Sequence, residues 1–120
     1  MNKRVSLDST YITEFGNNYW EIIHLEALKL TFQILNGEEN IQTKRAEFLT
    51  FFEYIIKNLM CSCKNHAYQI FIINKPDNYK YMLQYTIDFH NQVNVRLNKS
   101  VKSYDFVLNK YKKYIIKINQ

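Results

Sequence analysis

The clearest pattern in the chain is a set of apolar residues spaced three and four positions apart between residues 48 and 59. This spacing places them on one helix face and predicts an amphipathic α-helix that Thr43 can cap. An earlier stretch has the same period, with Asn17 or Asn18 as its cap and Gly37 suited to the position after its end. The inward positions of the two helices are Trp20, Ile23, His24, Ala27, Leu30, Thr31 and Ile34, and Phe48, Phe51, Phe52, Ile55, Ile56 and Leu59.

Three further helices follow. The third begins around Cys61 to Cys63 and ends before Pro76, because the residue before a proline disfavours the α-helical region. The fourth runs from about 78 to 97, and Ser103 can cap a short fifth helix. Four helices with short connections predict an all-α fold, a four-helix bundle with a short fifth helix. The inward positions of the last two helices are Leu83, Ile87, His90, Asn94 and Leu97, and Phe106, Val107 and Tyr114.

The first 14 residues show no clear period and are interpreted as an N-terminal arm. The remaining residues, 15–120, suit one helical domain. The chain has only 2 Gly and 1 Pro, which excludes a glycine-rich phosphate loop, so a nucleotide would have to be held in another way. No secretory signal is apparent, and no apolar stretch approaches the roughly 20 residues that a spanning helix needs. We therefore expect a soluble protein.

The formal net charge of +5 makes an anionic partner plausible, for example a phosphorylated ligand, a nucleic acid or an anionic membrane. The most basic stretch, residues 110–114, also contains aromatic residues, as in some nucleic-acid-binding proteins. A solvated helix face is the ordinary interpretation of such a run. Nucleic-acid binding is therefore not expected.

Two cysteines, Cys61 and Cys63, are separated only by Ser62. They lie at the expected start of the third helix, where unpaired N–H groups and the helix dipole stabilise a thiolate. They can be a redox couple or two small buried side chains. With His66 they can also be soft metal ligands, although no fourth ligand is evident nearby.

Two histidines, His24 and His90, fall on apolar helix faces, and His90 opens a polar segment that continues to Lys99. Polar groups on an inward face lower stability unless they find partners. Those partners can belong to a buried hydrogen-bond network or to a polar ligand held inside the bundle.

Three separated segments together resemble the FAD-linked sulfhydryl oxidases of the Erv/ALR family. Residues 15–24 resemble its W-G-x-x-x-W-x-x-L-H opening, with Phe15 in place of the first Trp. Residues 63–67 resemble the end of its C-x-x-C-x-x-H-A segment, and residues 90–99 its H-N-x-V-N-x-x-L-x-K segment. The segments occur in the family's order and span about residues 15 to 104. The compact chain is most similar to members from large cytoplasmic DNA viruses.

This resemblance implies a helical bundle, usually a homodimer, that holds FAD between its helices without a Rossmann fold. Two residues of the first helix, Trp20 and His24, would line the flavin site, and Cys63 and His66 would lie beside it. Tyr104 stands where relatives often have an aromatic residue. The adenosine and diphosphate portions would be held by His90, Asn91, Asn94, Leu97 and Lys99.

The resemblance also implies a mechanism. A dithiol substrate attacks the outer cysteine, assigned to Cys61, and the mixed disulfide resolves to leave both cysteines reduced. Cys63 then passes two electrons to the flavin, and molecular oxygen reoxidises it with formation of hydrogen peroxide. The expected substrate is a thiol-bearing or thioredoxin-like protein. By analogy the setting would be intracellular, in the host cytoplasm or the virion.

The C-x-C spacing departs from the family's C-x-x-C. Aligning residues 59–61 with the usual L-P-C suggests that one residue is missing between the cysteines and that Met60 replaces the proline. A disulfide between positions i and i+2 closes a tighter ring, and we hypothesise that it is more oxidising than a C-x-x-C pair. The competing hypothesis is a non-catalytic basic helical module that binds flavin, metal or nucleic acid and retains the fold.

Overall fold

The computed structural model describes residues 3–7, 19–59, 63–112 and 115–119, with side chains described for 19–59 and 64–112. Five α-helices and two short strands lie within these ranges, and one 3-10 helix precedes the fourth α-helix. In chain order the elements are β1 (Lys3–Leu7), α1 (Tyr19–Leu35), α2 (Ile41–Lys57), α3 (Cys63–Ile73), the 3-10 helix (Pro76–Asn78), α4 (Met82–Arg96), α5 (Tyr104–Lys110) and β2 (Ile115–Asn119).

The four long helices form a closed arrangement. Each of α1, α2 and α3 packs against the helix that follows it, and α4 packs back against α1. The short helix α5 contacts α4. The predicted all-α fold, a four-helix bundle with a short fifth helix, is therefore confirmed.

The core of the bundle contains an aromatic cluster around Phe52. Phe52 is fully buried, and its ring meets the ring of Phe89 edge-on at 4.9 Å and that of Tyr85 at 5.7 Å. Edge-to-face contacts of this kind stabilise beyond the area that they bury. The predicted inward face of α2 is confirmed, with Phe48, Phe52 and Ile56 buried and Phe51 and Ile55 packed against the core. Leu59, which was predicted on the same face, lies two residues beyond the end of α2 and is also buried.

The helix ends explain where the chain turns. Gly37, with a φ of 71°, ends α1 in a Schellman turn: its N–H donates to the Ile34 carbonyl, and that of Glu38 to the Gln33 carbonyl. The predicted role of Gly37 is confirmed. The prediction that Thr43 caps α2 was wrong. The helix begins at Ile41, and Asn40, with a φ of 61°, occupies the N-cap position.

The start of α4 also differs from the expectation of about residue 78. Tyr79 and Tyr81 are extended, and α4 begins at Met82. Arg45 of α2 accounts for the delay, because its guanidinium donates to the carbonyls of Tyr79 and Pro76 at 3.0 and 2.8 Å. These bonds hold the segment from Pro76 to Tyr79 against α2, outside the α-helix.

The cap of α5 follows the prediction, since the Ser103 hydroxyl accepts a bond from the Phe106 N–H at 3.1 Å. The predicted burial of Val107 is confirmed, but that of Phe106 is wrong: its side chain is 56% exposed. A helix of seven residues has room for only one narrow inward face, and Val107 and Tyr111 take it. Tyr114, Asn17 and Asn18 lie outside the described residues.

The two strands were not predicted. β1 and β2 pair antiparallel, with Lys3 opposite Asn119 and Leu7 opposite Ile115, and β1 also contacts α1. Part of the predicted arm of residues 1–14 therefore pairs with the end of the chain. The division into an arm and a domain of 15–120 stays a prediction. Within the described residues, no helix combines the length and the apolar character needed to cross a membrane.

Candidate functional site

A cavity of about 400 Å³ opens between α1, α4, α5 and the loop that joins the last two. Its volume is within the range of small-molecule and cofactor sites. The wall combines two histidines, two asparagines, three lysines, one glutamate, one serine and one tyrosine with three apolar residues. The residues are Glu21, His24, Ile87, His90, Asn91, Asn94, Lys99, Ser100, Lys102, Phe106, Val107, Lys110 and Tyr111.

Two imidazoles meet at the inner end of the cavity. Nε2 of His24 lies 3.1 Å from Nδ1 of His90, and Nδ1 of His24 lies 3.2 Å from the Thr86 hydroxyl. The ring of Trp20 stacks on that of His90, with centroids 4.0 Å apart and an interplanar angle of 3°. Helices α1 and α4 therefore bring the first and last of the recognised segments into direct contact.

Burial lowers the pKa of both imidazoles. His24 is almost fully buried, and desolvation, followed by His90 and Lys110, lowers its pKa from 6.5 to about 3. Desolvation also lowers the pKa of His90 to about 4, with Glu21 opposing and Lys110 and Lys99 adding to the effect. Both rings are therefore neutral at physiological pH, and the pair can form one N–H···N hydrogen bond.

The end of α4 places a lysine at the cavity. Asn98, with a φ of 56°, terminates the helix in a second Schellman turn, in which the Lys99 N–H donates to the Asn94 carbonyl at 2.8 Å. Asn94 itself is buried. The turn explains why Asn94 and Lys99, five residues apart, line the same cavity.

Asn91 fixes the loop that follows. Its amide donates to the Lys102 carbonyl at 2.7 Å, and its oxygen accepts from the Lys102 N–H at 2.9 Å. These two bonds close a loop of eleven positions and set the place of Lys102 in the wall. The sequence predicted Asn91 at the site but did not predict this backbone contact.

Sequence reasoning missed the carboxylate of the cavity. Glu21 is buried, accepts a hydrogen bond from the Tyr111 hydroxyl at 2.5 Å and pairs with the Lys110 ammonium group. Its spacing from His24, three positions along α1, was the available signal, because i and i+3 share a helix face. Its partners, about 90 residues away, cannot be found from helix periodicity.

The structure brings together five of the ten predicted cofactor-binding residues as wall residues: His24, His90, Asn91, Asn94 and Lys99. Trp20 joins them by stacking on His90. Three other predicted cofactor-binding residues do not line the described wall of the cavity: Leu97, Tyr104 and His66. Leu97 packs against the core, and Tyr104 is 39% exposed at the start of α5.

The cysteines are only partly described. Cys63 is the first residue of α3, as predicted, and its side chain is outside the described set. Cys61 lies outside the described residues altogether. No group of three or more His, Cys, Asp or Glu side chains that could hold a metal occurs in the part of the chain that the structure describes. The hypothesis of a metal site at Cys61, Cys63 and His66 therefore stays untested.

Comparisons with known proteins agree with this geometry. The family model described as Erv1 / Alr family matches residues 17–114, which include every described residue of the cavity wall. The chain belongs to the Erv1/Alr family. The predicted family resemblance is thus confirmed.

Two similar proteins of known name agree with the family assignment. A protein named FAD-linked sulfhydryl oxidase from African swine fever virus (isolate Warthog/Namibia/Wart80/1980) is 29% identical over 109 residues, which cover 86% of this chain and 84% of the relative. A protein of the same name from isolate Pig/Kenya/KEN-50/1950 is 28% identical over 109 residues, with the same coverage. No solved structure is significantly similar to the chain.

Proposed function

We propose that this protein is an FAD-linked sulfhydryl oxidase that forms disulfides in protein dithiols. Membership of the Erv1/Alr family and the names of the viral relatives support the proposal. The observation that carries it is the contact between Trp20, His24 and His90 at the inner end of the cavity. Residues from two separated family segments converge there on one site.

The chemistry of the cavity fits FAD. Lys99, Lys102 and Lys110 bring positive charge to the wall, and only Glu21 opposes them among the described wall residues. Such a set suits a diphosphate, since ammonium groups bind phosphate oxygens as point charges. The neutral imidazole of His90 and the Asn94 amide can exchange hydrogen bonds with an uncharged heterocycle or a ribose.

Each side chain then has a distinct role. Trp20 and His90 would pack beside a ring system, Asn94 would orient its polar edge, His24 would hold the His90 ring in place, and the lysines would neutralise the diphosphate. Bound FAD would supply the redox chemistry by which an electron pair from a dithiol reaches molecular oxygen and hydrogen peroxide forms.

The protein's own redox chemistry rests on Cys61 and Cys63. A substrate thiolate attacks Sγ of Cys61, the Cys61–Cys63 bond breaks, and a mixed disulfide forms while Cys63 leaves as a thiolate. The second substrate thiol then displaces Cys61, so that the substrate is oxidised and both cysteines are reduced. The position of Cys63 as the first residue of α3 supports its role, because the helix N-terminus stabilises a thiolate.

The C-x-C spacing gives a specific expectation. A disulfide between Cys61 and Cys63 closes a smaller ring than one in a C-x-x-C pair, and strain favours the reduced form. We expect a reduction potential more oxidising than that of C-x-x-C relatives. A thiol–disulfide titration followed by alkylation and mass spectrometry measures it, and a potential no higher than that of the relatives would contradict the expectation.

The remaining parts of the proposal concern partners and location. The substrate is a thiol-bearing or thioredoxin-like protein, the protein forms a homodimer, and it acts in the host cytoplasm or the virion. The viral source of the relatives supports this setting. The competing hypothesis of a non-catalytic basic module is not favoured by the family or by the relatives' names.

Absorbance and oxygen uptake test the proposal directly. We expect purified protein to show the visible bands of oxidised flavin and to consume oxygen with dithiothreitol as the reductant. Cys63→Ser should abolish bleaching of the flavin by thiols, and Cys61→Ser should block turnover while FAD stays bound. A protein that remains colourless after incubation with FAD would refute flavin binding, and thiol oxidation by Cys63→Ser would refute the assignment of the cysteines.

A further inference from the structure

A second groove, of about 480 Å³, lies between the end of α2 and the start of α3. It shares no wall residue with the first cavity among the described residues. Its first residue on α3, Lys64, directly follows Cys63. The described wall consists of Ile56, Lys57, Lys64, Asn65, Tyr68 and Gln69, and we call it the basic groove.

The lining of the basic groove suits an extended peptide. Ile56 is fully buried beneath it, and Tyr68, 43% exposed, offers an aromatic ring at its side. Asn65 and Gln69 lie one turn apart on α3, so their amides face the same side and can pair with a peptide backbone. Arg96 donates to Gln69 Oε1 at 2.8 Å, which orients that amide and does not use its NH₂ group.

The charge around the groove is positive. Lys57 and Lys64 lie in the wall, and Arg96 lies behind Gln69. The sequence of α3 contains no acidic residue, and α4 contains none after Asp88. The nearest carboxylate on α2, Glu53, lies 3.4 Å from Lys57 in an exposed i,i+4 pair. An exposed pair of this kind stabilises only weakly, so Lys57 can exchange it for another carboxylate.

We propose that the basic groove docks an acidic, extended segment of the thiol-bearing protein substrate, next to the substrate's reactive cysteines. This inference rests on the proposed function, because it assumes that substrate thiols approach Cys61. The stretch of α3 from Lys64 to Gln69 is about 8 Å long, the length of about two or three residues of extended chain. A short acidic segment with one apolar side chain therefore matches both the charge and the size of the groove.

Two dithiol peptides test the docking. They share one Cys-x-x-Cys core and one flanking tyrosine, and they differ only in carrying Asp and Glu or Asn and Gln in the flank. We expect kcat/KM for the acidic peptide to exceed that for the neutral one by about 5- to 10-fold at low salt. The advantage should largely disappear between about 0.01 M and about 1 M salt, because exposed charges are screened.

Matched variants assign the effect to the groove. The double variant Lys57→Gln, Lys64→Gln should lose the preference for the acidic peptide while keeping its FAD content and its rate with dithiothreitol. The control, Lys29→Gln with Lys44→Gln, removes the same charge from another surface depression, beside the start of α2, and should keep the preference. Equal kcat/KM for both peptides with the unaltered protein, or an unchanged preference in the groove variant, would overturn the proposal.

Binding separates this proposal from the function on which it rests. The acidic peptide, with both cysteines replaced by serine and a fluorescent label attached, should bind with an affinity that the groove variant lowers and the control retains. Fluorescence anisotropy measures this without turnover. If the unaltered protein binds the peptide through the groove but has no oxidase activity, the proposed oxidase function is refuted and the docking proposal stands. If it has oxidase activity but shows no groove-dependent binding, the docking proposal alone is refuted.

Discussion

At the scale of single residues, the imidazole pair is the most informative feature of the site. His24 and His90 can hydrogen-bond to each other only while at least one ring keeps an unprotonated nitrogen. Burial keeps both rings neutral, and the nearby ammonium group of Lys110 adds to this effect. Because Nδ1 of His24 contacts the Thr86 hydroxyl, a neutral pair offers a bound ligand Nε2 of His90, as a donor or an acceptor according to its tautomer, whereas a protonated His90 offers only a donor.

This pair makes stability depend on pH. The pKa of each histidine is lower in the folded state than its ordinary value of 6.5, so the unfolded chain binds more protons below that pH. The contribution to the free energy of unfolding is complete above about pH 6.5 and decreases as the pH falls towards about 4. Urea unfolding followed by circular dichroism across this range should show the decrease.

In the upper part of that pH range the decrease in the free energy of unfolding comes from the histidines, because ordinary carboxyl groups titrate near pH 4. His24→Gln and His90→Gln should each flatten the profile between about pH 6.5 and about pH 5. Glu21 and Lys110 also face the pair, so the same series should be run in Glu21→Gln to separate their effect. A profile that keeps its slope in both histidine variants would contradict the assignment.

The sequence predicted these residues better than their contacts. His24, His90 and Asn94 were expected to face inward because they lie on apolar helical stripes, and His24 and Asn94 are buried. Helical periodicity contains no information on contacts between distant residues, so the bonds from His24 to His90 and from Glu21 to Lys110 could not be predicted. Phe106 was placed inward on the same kind of pattern and is exposed.

At the scale of elements, α5 is the helix whose stability depends most on contacts with the rest of the protein. It has seven residues, too few for an isolated helix to be stable in water. Ser103 caps its start, Val107 is buried, and at its end Lys110 and Tyr111 bind Glu21 of α1. Because α5 forms one wall of the cavity, the link from Glu21 also holds that wall in place.

Removal of the Glu21 charge should therefore destabilise the protein. Glu21→Gln breaks the ion pair with Lys110 and weakens the bond from Tyr111, and we expect a loss of about 1–3 kcal/mol in the free energy of unfolding. Urea denaturation measures it. The matched control is Glu53→Gln, which removes an exposed i,i+4 pair with Lys57 and should cost about 0.5 kcal/mol or less. Equal losses in the two variants would show that the contacts of Glu21 stabilise the protein no more than the exposed pair of Glu53 does.

The elements themselves were largely predictable. The three- and four-residue spacing located α1 and α2, Gly37 marked the end of α1, and Pro76 marked the limit of α3. The start of α4 was misplaced because Arg45, from another helix, binds the carbonyls of Pro76 and Tyr79 and holds that segment against α2. The two strands were not predicted because a strand of five residues is too short for a clear hydrophobic period, and because the paired residues are more than 100 positions apart in the sequence.

At the scale of the whole molecule, the cavity connects distant parts of the sequence. Its wall uses α1 from the first third of the chain and α4, α5 and their loop from the last third. With 2 Gly in the chain, a phosphate loop is excluded, and side chains on helix faces take over the binding. A ligand in this cavity bridges elements that must all be folded, so its binding energy stabilises the entire bundle.

FAD should therefore raise the melting temperature of the protein. A ligand that binds only the folded state at about 100 times its Kd stabilises it by about 2.7 kcal/mol, or about 10 °C for a chain of this length. Asn94→Ala removes a buried amide from the wall and should lower both the melting temperature without FAD and the shift that FAD produces. The exposed Gln42→Ala is the control and should change neither. Thermal unfolding followed by circular dichroism measures both quantities. If Asn94→Ala is destabilised but keeps the full shift with FAD, Asn94 belongs to a buried hydrogen-bond network and not to the cofactor site.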